Sequence, residues 1–209
     1  DLQNANIALN NLKVGAHEGK MGPNAQLTRR LVDIVKKYDL SRPVTAACNG
    51  TDDNNPLFKS EALDMIGFNY HEKEFADITK RHPKTPFIVT ESVSSLQTRG
   101  FYVHPSDSVI ICPATWDTPY FNPTQKCSAY DNCHAPWGAT HEGNLKIVKK
   151  YPHISGQYIW TGFDYLGEPT PYWWPSRSSF FGIVDLAGFP KDVYYLYQSE
   201  WTSNDEIGR

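Results

Sequence analysis

The chain has 209 residues, enough for one large domain with a sizeable core, so small disulfide-framework folds are set aside. Lys plus Arg number 20 against 23 Asp plus Glu, and the resulting net charge of -3 gives no basic footprint for nucleic acid or an anionic membrane surface. Aromatic residues make up 13%, too rich for a disordered chain, and the apolar runs are too short to span a bilayer.

The chain opens at Asp1 with neither Met nor a basic-then-apolar leader, as a processed or excised piece would. Residues 1–22 are rich in Asn and Ala, carry Gly15, Gly19 and Gly22, and read as a loop or weak helix. Pro23 then stands at a first helical position. Leu27, Leu31, Ile34, Val35 and Tyr38 follow as one apolar stripe of an amphipathic helix, stopped by Ser41-Arg42-Pro43. Val44-Thr45-Ala46-Ala47-Cys48 lacks polar alternation, as in a strand covered on both faces, and a polar loop from Asn49 to Pro56 follows.

The same step recurs. A short helix over 57–63 precedes a strand over 64–70, and a helix over 72–81 points Phe75 and Ile78 inward. A third strand covers 86–91, followed by a very long connection over 92–140, a helix to Lys150 and a strand over 157–161. An aromatic loop leads to a last helix from about Lys191, with Val193, Leu196, Tyr197 and Trp201 inward. Buried strands alternating with helices predict a parallel sheet in an α/β fold. No Gly-rich first turn is present, so a (β/α)8 TIM barrel fits better than a dinucleotide fold. Four strands are about half of such a barrel.

In a barrel the reactive groups stand at the C-terminal strand ends, which singles out Asn69, Tyr70, Glu91, Trp160 and Asp164. Phe87, Val89 and Glu91 share one strand face, so an apolar interior would lead up to a carboxylate at its mouth. A solvated strand-end Glu is the bland reading of Glu91, and plain packing that of Trp160. An indole also offers a flat apolar face to the C–H side of a pyranose, and Tyr165, Tyr172, Trp173 and Trp174 add aromatic surface nearby. Cys127, Cys133, His134 and His141 match no compact zinc spacing, and Cys127 and Cys133 read as bridged or both free. No metal is expected. Asn49-Gly50-Thr51 fits a weak glycosylation pattern, while no nucleophile elbow or phosphate loop occurs.

The stretch from Tyr158-Ile159-Trp160-Thr161-Gly162-Phe163-Asp164-Tyr165-Leu166-Gly167-Glu168-Pro169 to Phe181-Gly182-Ile183-Val184-Asp185 and Gly188-Phe189-Pro190-Lys191-Asp192 resembles the end of the catalytic barrel in family 2 glycoside hydrolases of the bacterial β-galactosidase type. Arg42-Pro43-Val44-Thr45-Ala46, Asp64-Met65-Ile66-Gly67-Phe68-Asn69-Tyr70-His71 and Pro86-Phe87-Ile88-Val89-Thr90-Glu91-Ser92 are similar to its fifth, sixth and seventh strands. The resemblance implies that residues 23–209 are the C-terminal half of a TIM-barrel catalytic domain, strands five to eight, with 1–22 ending the preceding segment. It implies hydrolysis of terminal non-reducing β-D-galactosides by a retaining double displacement, with carboxyl groups about 5 to 5.5 Å apart. Glucuronidases and mannosidases share the barrel.

Carried over residue by residue, the resemblance makes Glu91 the nucleophile, Tyr70 its hydrogen-bond partner and Trp160 a wall beside the sugar, with Asn69, His71 and Asp164 as further substrate-binding neighbours. The family's acid/base Glu follows an Asn, and this sequence has no Asn-Glu dipeptide, so that Glu is expected outside the chain. The chemistry requires no cofactor. The expected partner is a β-linked oligosaccharide or glycoside, with the open barrel edge closed by a second copy or by the missing N-terminal half. A soluble protein is expected, with a bacterial periplasmic or secreted address left open. The alternative is a non-catalytic carbohydrate-binding module or an inactive barrel fragment.

Overall fold

The computed structural model describes residues 21–202. The reading of 1–20 as loop or weak helix lies outside the described residues. In chain order the elements are α1 (Pro23–Tyr38), β1 (Ala47–Cys48), α2 (Pro56–Lys59), β2 (Ile66–Asn69), a 3₁₀ turn (Glu72–Glu74), α3 (Ile78–Arg81), β3 (Phe87–Val93), β4 (Ile110–Ile111), β5 (Cys133–His134), α4 (His141–Lys150), β6 (Ile154–Trp160) and α5 (Asp192–Trp201). The main sheet has the order β1-β2-β3-β6, and β1 pairs parallel to β2 with Ala47 opposite Gly67 and Cys48 opposite Phe68. This is the parallel α/β architecture expected from alternating buried strands and helices. No helix among the described residues is long and apolar enough to cross a membrane.

Two compact units divide the chain. The first runs to Thr90 and takes in Tyr151–Gln157, whereas the second comprises Glu91–Lys150 and the chain from Tyr158 onward. In the first unit the core is an aromatic stack: Phe68 lies edge-on to Phe87 at 5.2 Å and Phe75 to Phe87 at 5.4 Å, with Phe58 5.9 Å from Phe68. Gly67 is required on β2, because a Cβ there would stand 2.7 Å from both the Ala46 carbonyl and the Thr90 methyl. Asn55 starts α2 by accepting the Leu57 N–H at 2.9 Å, with Pro56 preset for the first turn. The strand expected over 44–48 shortens to two residues, since the Asp64 carboxylate takes up the Val44 N–H at 2.8 Å.

Helix α1 forms where the periodicity puts it, but the face it buries is Ala25, Thr28 and Val32. The expected inward stripe is exposed instead, from 46% at Ile34 and Val35 to 80% at Tyr38. Ion pairing of Lys36 with Asp64 at 2.7 Å and the Arg29 guanidinium on the Ser60 carbonyl at 2.6 Å hold the helix on its polar side.

The long connection over 92–140 is not the featureless loop its sequence suggests. Within it β4 and β5 pair parallel, and Leu96, Cys112, Cys127, Cys133 and Ala135 join Phe180 and Phe181 in one buried cluster. All four cysteines are free and buried, which answers the open pairing of Cys127 with Cys133. Burial pushes the Cys48 thiol up to about 12. Asp131 caps α4 from this connection, accepting the His141 and Glu142 N–H groups at 3.0 and 2.8 Å. On α5, Val193 and Tyr197 are buried as expected, while Trp201 is exposed because it falls on the last turn, beyond the core.

Candidate active site

Strand β2 delivers Asn69 buried at its end, and the next two residues, Tyr70 and His71, take the left-handed conformation at φ 61° and 63°. Non-glycine residues adopt this region rarely, and consecutive ones need to be held there. The holding groups are polar. Asn69 donates to the Asn49 side-chain oxygen at 2.8 Å and accepts the Thr90 hydroxyl at 2.8 Å. His71 Nε2 lies 2.6 Å from the Asn49 carbonyl, which can only accept, so this nitrogen carries the proton. Its Nδ1 faces the Glu74 carboxylate at 3.4 Å, and that carboxylate also accepts Thr51 Oγ1 at 2.6 Å and the Arg81 guanidinium at 2.9 Å. Asn49 and Thr90 therefore organise this strand end, although neither stands out in the sequence.

Glu91 is half-buried and follows Phe87 and Val89, both buried, on alternate positions of β3. The strand runs two residues past Glu91, further than expected, and then turns through Val93 and Ser94 at φ 78° and 53°. A β-branched residue at positive φ is costly, and here neighbouring backbone enforces it. The Ala139 N–H bonds the Val93 carbonyl at 2.6 Å, the Ala135 N–H bonds the Ser94 carbonyl at 3.0 Å, and the Trp137 indole donates to Ser94 Oγ at 3.1 Å. Gly138 fits beneath only because it lacks a Cβ, which would stand 2.1 Å from the Val93 carbonyl. Ser92 adds a hydroxyl bond to the Tyr158 carbonyl at 3.0 Å.

Trp160 ends β6 half-buried, packed against the buried cluster, with a cis peptide to Thr161. Its ring lies edge-on to Tyr165 at 5.9 Å and 81°. The Tyr165 hydroxyl donates to Glu168, and its pKa is pushed up by burial first, then by Glu168, with a further contribution from the charge of Glu91. Glu91, Trp160, Tyr165 and Glu168 thus form one neighbourhood within the second unit. Tyr165 earns its place through that electrostatic link, which no sequence spacing reveals.

Asp164, expected as a substrate-binding neighbour, bonds groups of the protein itself. Its largely buried carboxylate pairs with the fully buried Lys191 ammonium at 2.7 Å, while the Gly182 N–H and Ser179 hydroxyl bond its other oxygen at 2.7 and 3.3 Å. Burial raises the Asp164 pKa against the pull of Lys191 and lowers that of Lys191 itself. The ammonium also bonds the Gln97 and Phe180 carbonyls, so the pair ties the turn after Trp160 into the core. Among the described residues no group of three or more His, Cys, Asp or Glu side chains is placed to hold a metal ion.

No protein-family model matches the chain. It is 56% identical over 99% of its length to the β-galactosidase BoGH2A of Bacteroides ovatus, and it spans 25% of that protein. Among solved structures it is similar to a β-glycosidase from Bacteroides vulgatus, with TM-score 0.67 and 29% identity, over 92% of this chain and 25% of that one. A glycosyl hydrolase family 2 member from Bacteroides cellulosilyticus matches with TM-score 0.55 and 25% identity, over 86% of this chain and 18% of the other. The chain thus covers a quarter or less of the length of the curated relatives it matches.

Proposed function

Starting from a chain that belongs to glycoside hydrolase family 2, of the bacterial β-galactosidase type, we propose that it supplies the nucleophile side of a retaining β-glycosidase. The substrate is a terminal non-reducing β-D-galactoside, and these residues form the C-terminal half of a TIM barrel, strands five to eight. Identity of 56% with a protein named as a β-galactosidase supports that sugar over the glucuronide and mannoside alternatives.

In the first half-reaction the Glu91 carboxylate attacks the anomeric carbon, a glycosyl ester forms, and the bond to the leaving oxygen breaks with a proton from an acid residue outside these 209 residues. In the second, water attacks the ester and frees Glu91, its proton passing to the same outside residue. Tyr70 is taken as the hydrogen-bond partner of Glu91, while Asn69 and His71 read substrate hydroxyls and Trp160 offers its face to the sugar. Asp164 contributes by fixing the turn after Trp160, a positioning role that replaces direct sugar binding. No cofactor enters the reaction.

The observation that carries the reading is the neighbourhood of Glu91 on β3, Trp160 at the end of the adjacent strand β6, and Tyr165 in the turn that follows it. A 2-deoxy-2-fluoro-β-galactosyl donor with a dinitrophenyl leaving group tests it, since that group departs without acid help. Intact mass should rise by one glycosyl unit, mapped to Glu91 and absent in Glu91→Gln. In the full-length protein, labelling at another residue would overturn the assignment, and labelling only by the glucuronyl donor would overturn the sugar.

A further inference from the structure

The loop after β6 is firmly built yet leaves two indoles in water. Leu166 bridges Ser178, the Gly167 N–H bonds the Arg177 carbonyl at 2.7 Å, Tyr172 N–H bonds the Pro169 carbonyl at 2.8 Å, and Ser176 N–H bonds the Trp173 carbonyl at 2.9 Å. Tyr172 anchors the loop from below: its ring is buried edge-on against Phe180 and its hydroxyl donates to the Lys126 carbonyl at 2.7 Å. Between these fixed points Trp173 and Trp174 remain 71% and 76% exposed. An aromatic side chain of this size has among the most to gain from burial, so a braced loop that presents two of them to solvent is shaped for a flat ligand.

The polar groups beside the indoles suit the same ligand. The Arg177 guanidinium lies 4.5 Å over the Trp174 ring and covers one face of it. Arg177 thus sets a donor fork beside the Trp174 indole, while the Gly167–Arg177 backbone bond closes the loop next to Glu168, whose carboxylate accepts the Tyr165 hydroxyl. A pyranose has that pattern in reverse, with C–H faces to stack and hydroxyls that both donate and accept. The loop also starts at the candidate site, through Trp160 to Tyr165 to Glu168.

We propose that Trp173 and Trp174 form a second carbohydrate subsite on the leaving-group side, where a further ring of a neutral β-linked oligosaccharide stacks while the terminal sugar is cleaved. This rests on the glycosidase reading. Binding energy from a remote ring can then contribute to the turnover of longer substrates.

The test compares two substrates in the full-length protein: a β-galactosyl-terminated tri- or tetrasaccharide, and β-galactosyl fluoride, whose leaving group is a single atom that cannot reach the subsite. For Trp173→Ala and Trp174→Ala, kcat/KM on the oligosaccharide should fall roughly tenfold to hundredfold, with the fluoride changed by less than about twofold. Should the Ala variants lose both substrates, Trp173→Phe and Trp174→Phe decide: a loss confined to the oligosaccharide supports the subsite, and parity overturns it. An unchanged oligosaccharide rate also overturns it, as expected if the indoles pack against another part of the protein. If the unsubstituted protein cleaves the fluoride but shows no preference for the tri- or tetrasaccharide over a β-galactosyl disaccharide, the subsite alone fails. If it cleaves neither these galactosides nor a β-glucuronide, the glycosidase reading fails and the subsite with it.

Discussion

The turn after β2 and the turn after β3 use the same backbone device and hold it by different means. Each places two consecutive non-glycine residues in the left-handed region, Tyr70–His71 in the first unit and Val93–Ser94 in the second. The first pair is fixed by side chains, with His71 bonded to the Asn49 carbonyl and facing Glu74 on an exposed edge. The second pair is buried and fixed by backbone N–H groups from Ala135 and Ala139, with Gly138 packed beneath. A turn held by side chains can be retuned by substitution, whereas a turn held by backbone in a core gives way only when the core does. The chemistry proposed for Glu91 stands beside the rigid one.

The largest effect expected separates chemistry from both turns. Glu91→Gln should lower kcat by on the order of 10³-fold or more while leaving the thermal midpoint nearly unmoved, because it removes the nucleophile's charge and keeps the side chain's size and shape. A midpoint that falls along with activity would mean that Glu91 is a structural carboxylate.

Acid should loosen the buried side of the comparison first. His141, just past the strap that pins Val93, is fully buried, and burial lowers its pKa to about 4 against the opposing pull of Asp131, with Lys191 adding to the depression. Its Nδ1 meets the Tyr197 hydroxyl at 2.9 Å. Between that value and the ordinary histidine range near 6.5 the unfolded chain binds a proton that the folded one does not, so stability rises with pH across the window. The contribution is complete above about pH 6.5 and is lost as pH falls toward 4. Urea unfolding at pH 5 should show a deficit on the order of 2 kcal/mol relative to pH 7.5. Part of that slope should disappear in His141→Gln, and an unchanged slope would break the assignment.

Next comes the strap itself. Gly138→Ala places a methyl 2.1 Å from the Val93 carbonyl, which the structure can relieve only by parting the Ala139–Val93 bond. A loss of about 1–3 kcal/mol is expected, read from the urea midpoint, with reduced glycosidase activity alongside. The smallest structural effect belongs to the exposed turn. His71→Asn keeps a residue that tolerates the left-handed conformation and should cost less than about 1 kcal/mol, yet lower kcat/KM by roughly tenfold. If His71→Asn destabilised the protein more than Gly138→Ala did, the contrast between the turns would be inverted.

Much of this arrangement is legible in the sequence, for reasons that particular residues make plain. Glu91 and Trp160 can be picked out because a period of two continues an apolar strand face up to a polar or aromatic end. Helix α1 can be read from its 3.6-residue stripe, but periodicity reports that a face is apolar and not what covers it, so Leu27 and Leu31 prove exposed. The interior of the long connection escapes because Cys112, Cys127, Cys133 and Ala135 follow no repeat and meet only through tertiary packing. Asp164 reads as a strand-end carboxylate facing a ligand, while its partner Lys191 lies 27 positions away and leaves no local trace. Asn49, Thr90 and Tyr165 gain their roles from hydrogen bonds and charge across the fold, which propensity and spacing do not encode.

The four buried thiols offer a way to time the two units independently. Cys48 belongs to the first unit, and Cys112, Cys127 and Cys133 to the second, all in reduced form and shielded from solvent. A thiol-specific reagent can therefore react with each only when its own surroundings briefly open, at a rate set by local unfolding. Mass spectra taken over time would show whether the single thiol or the group of three is modified first, giving separate opening clocks for the unit that carries Tyr70 and the unit that carries Glu91.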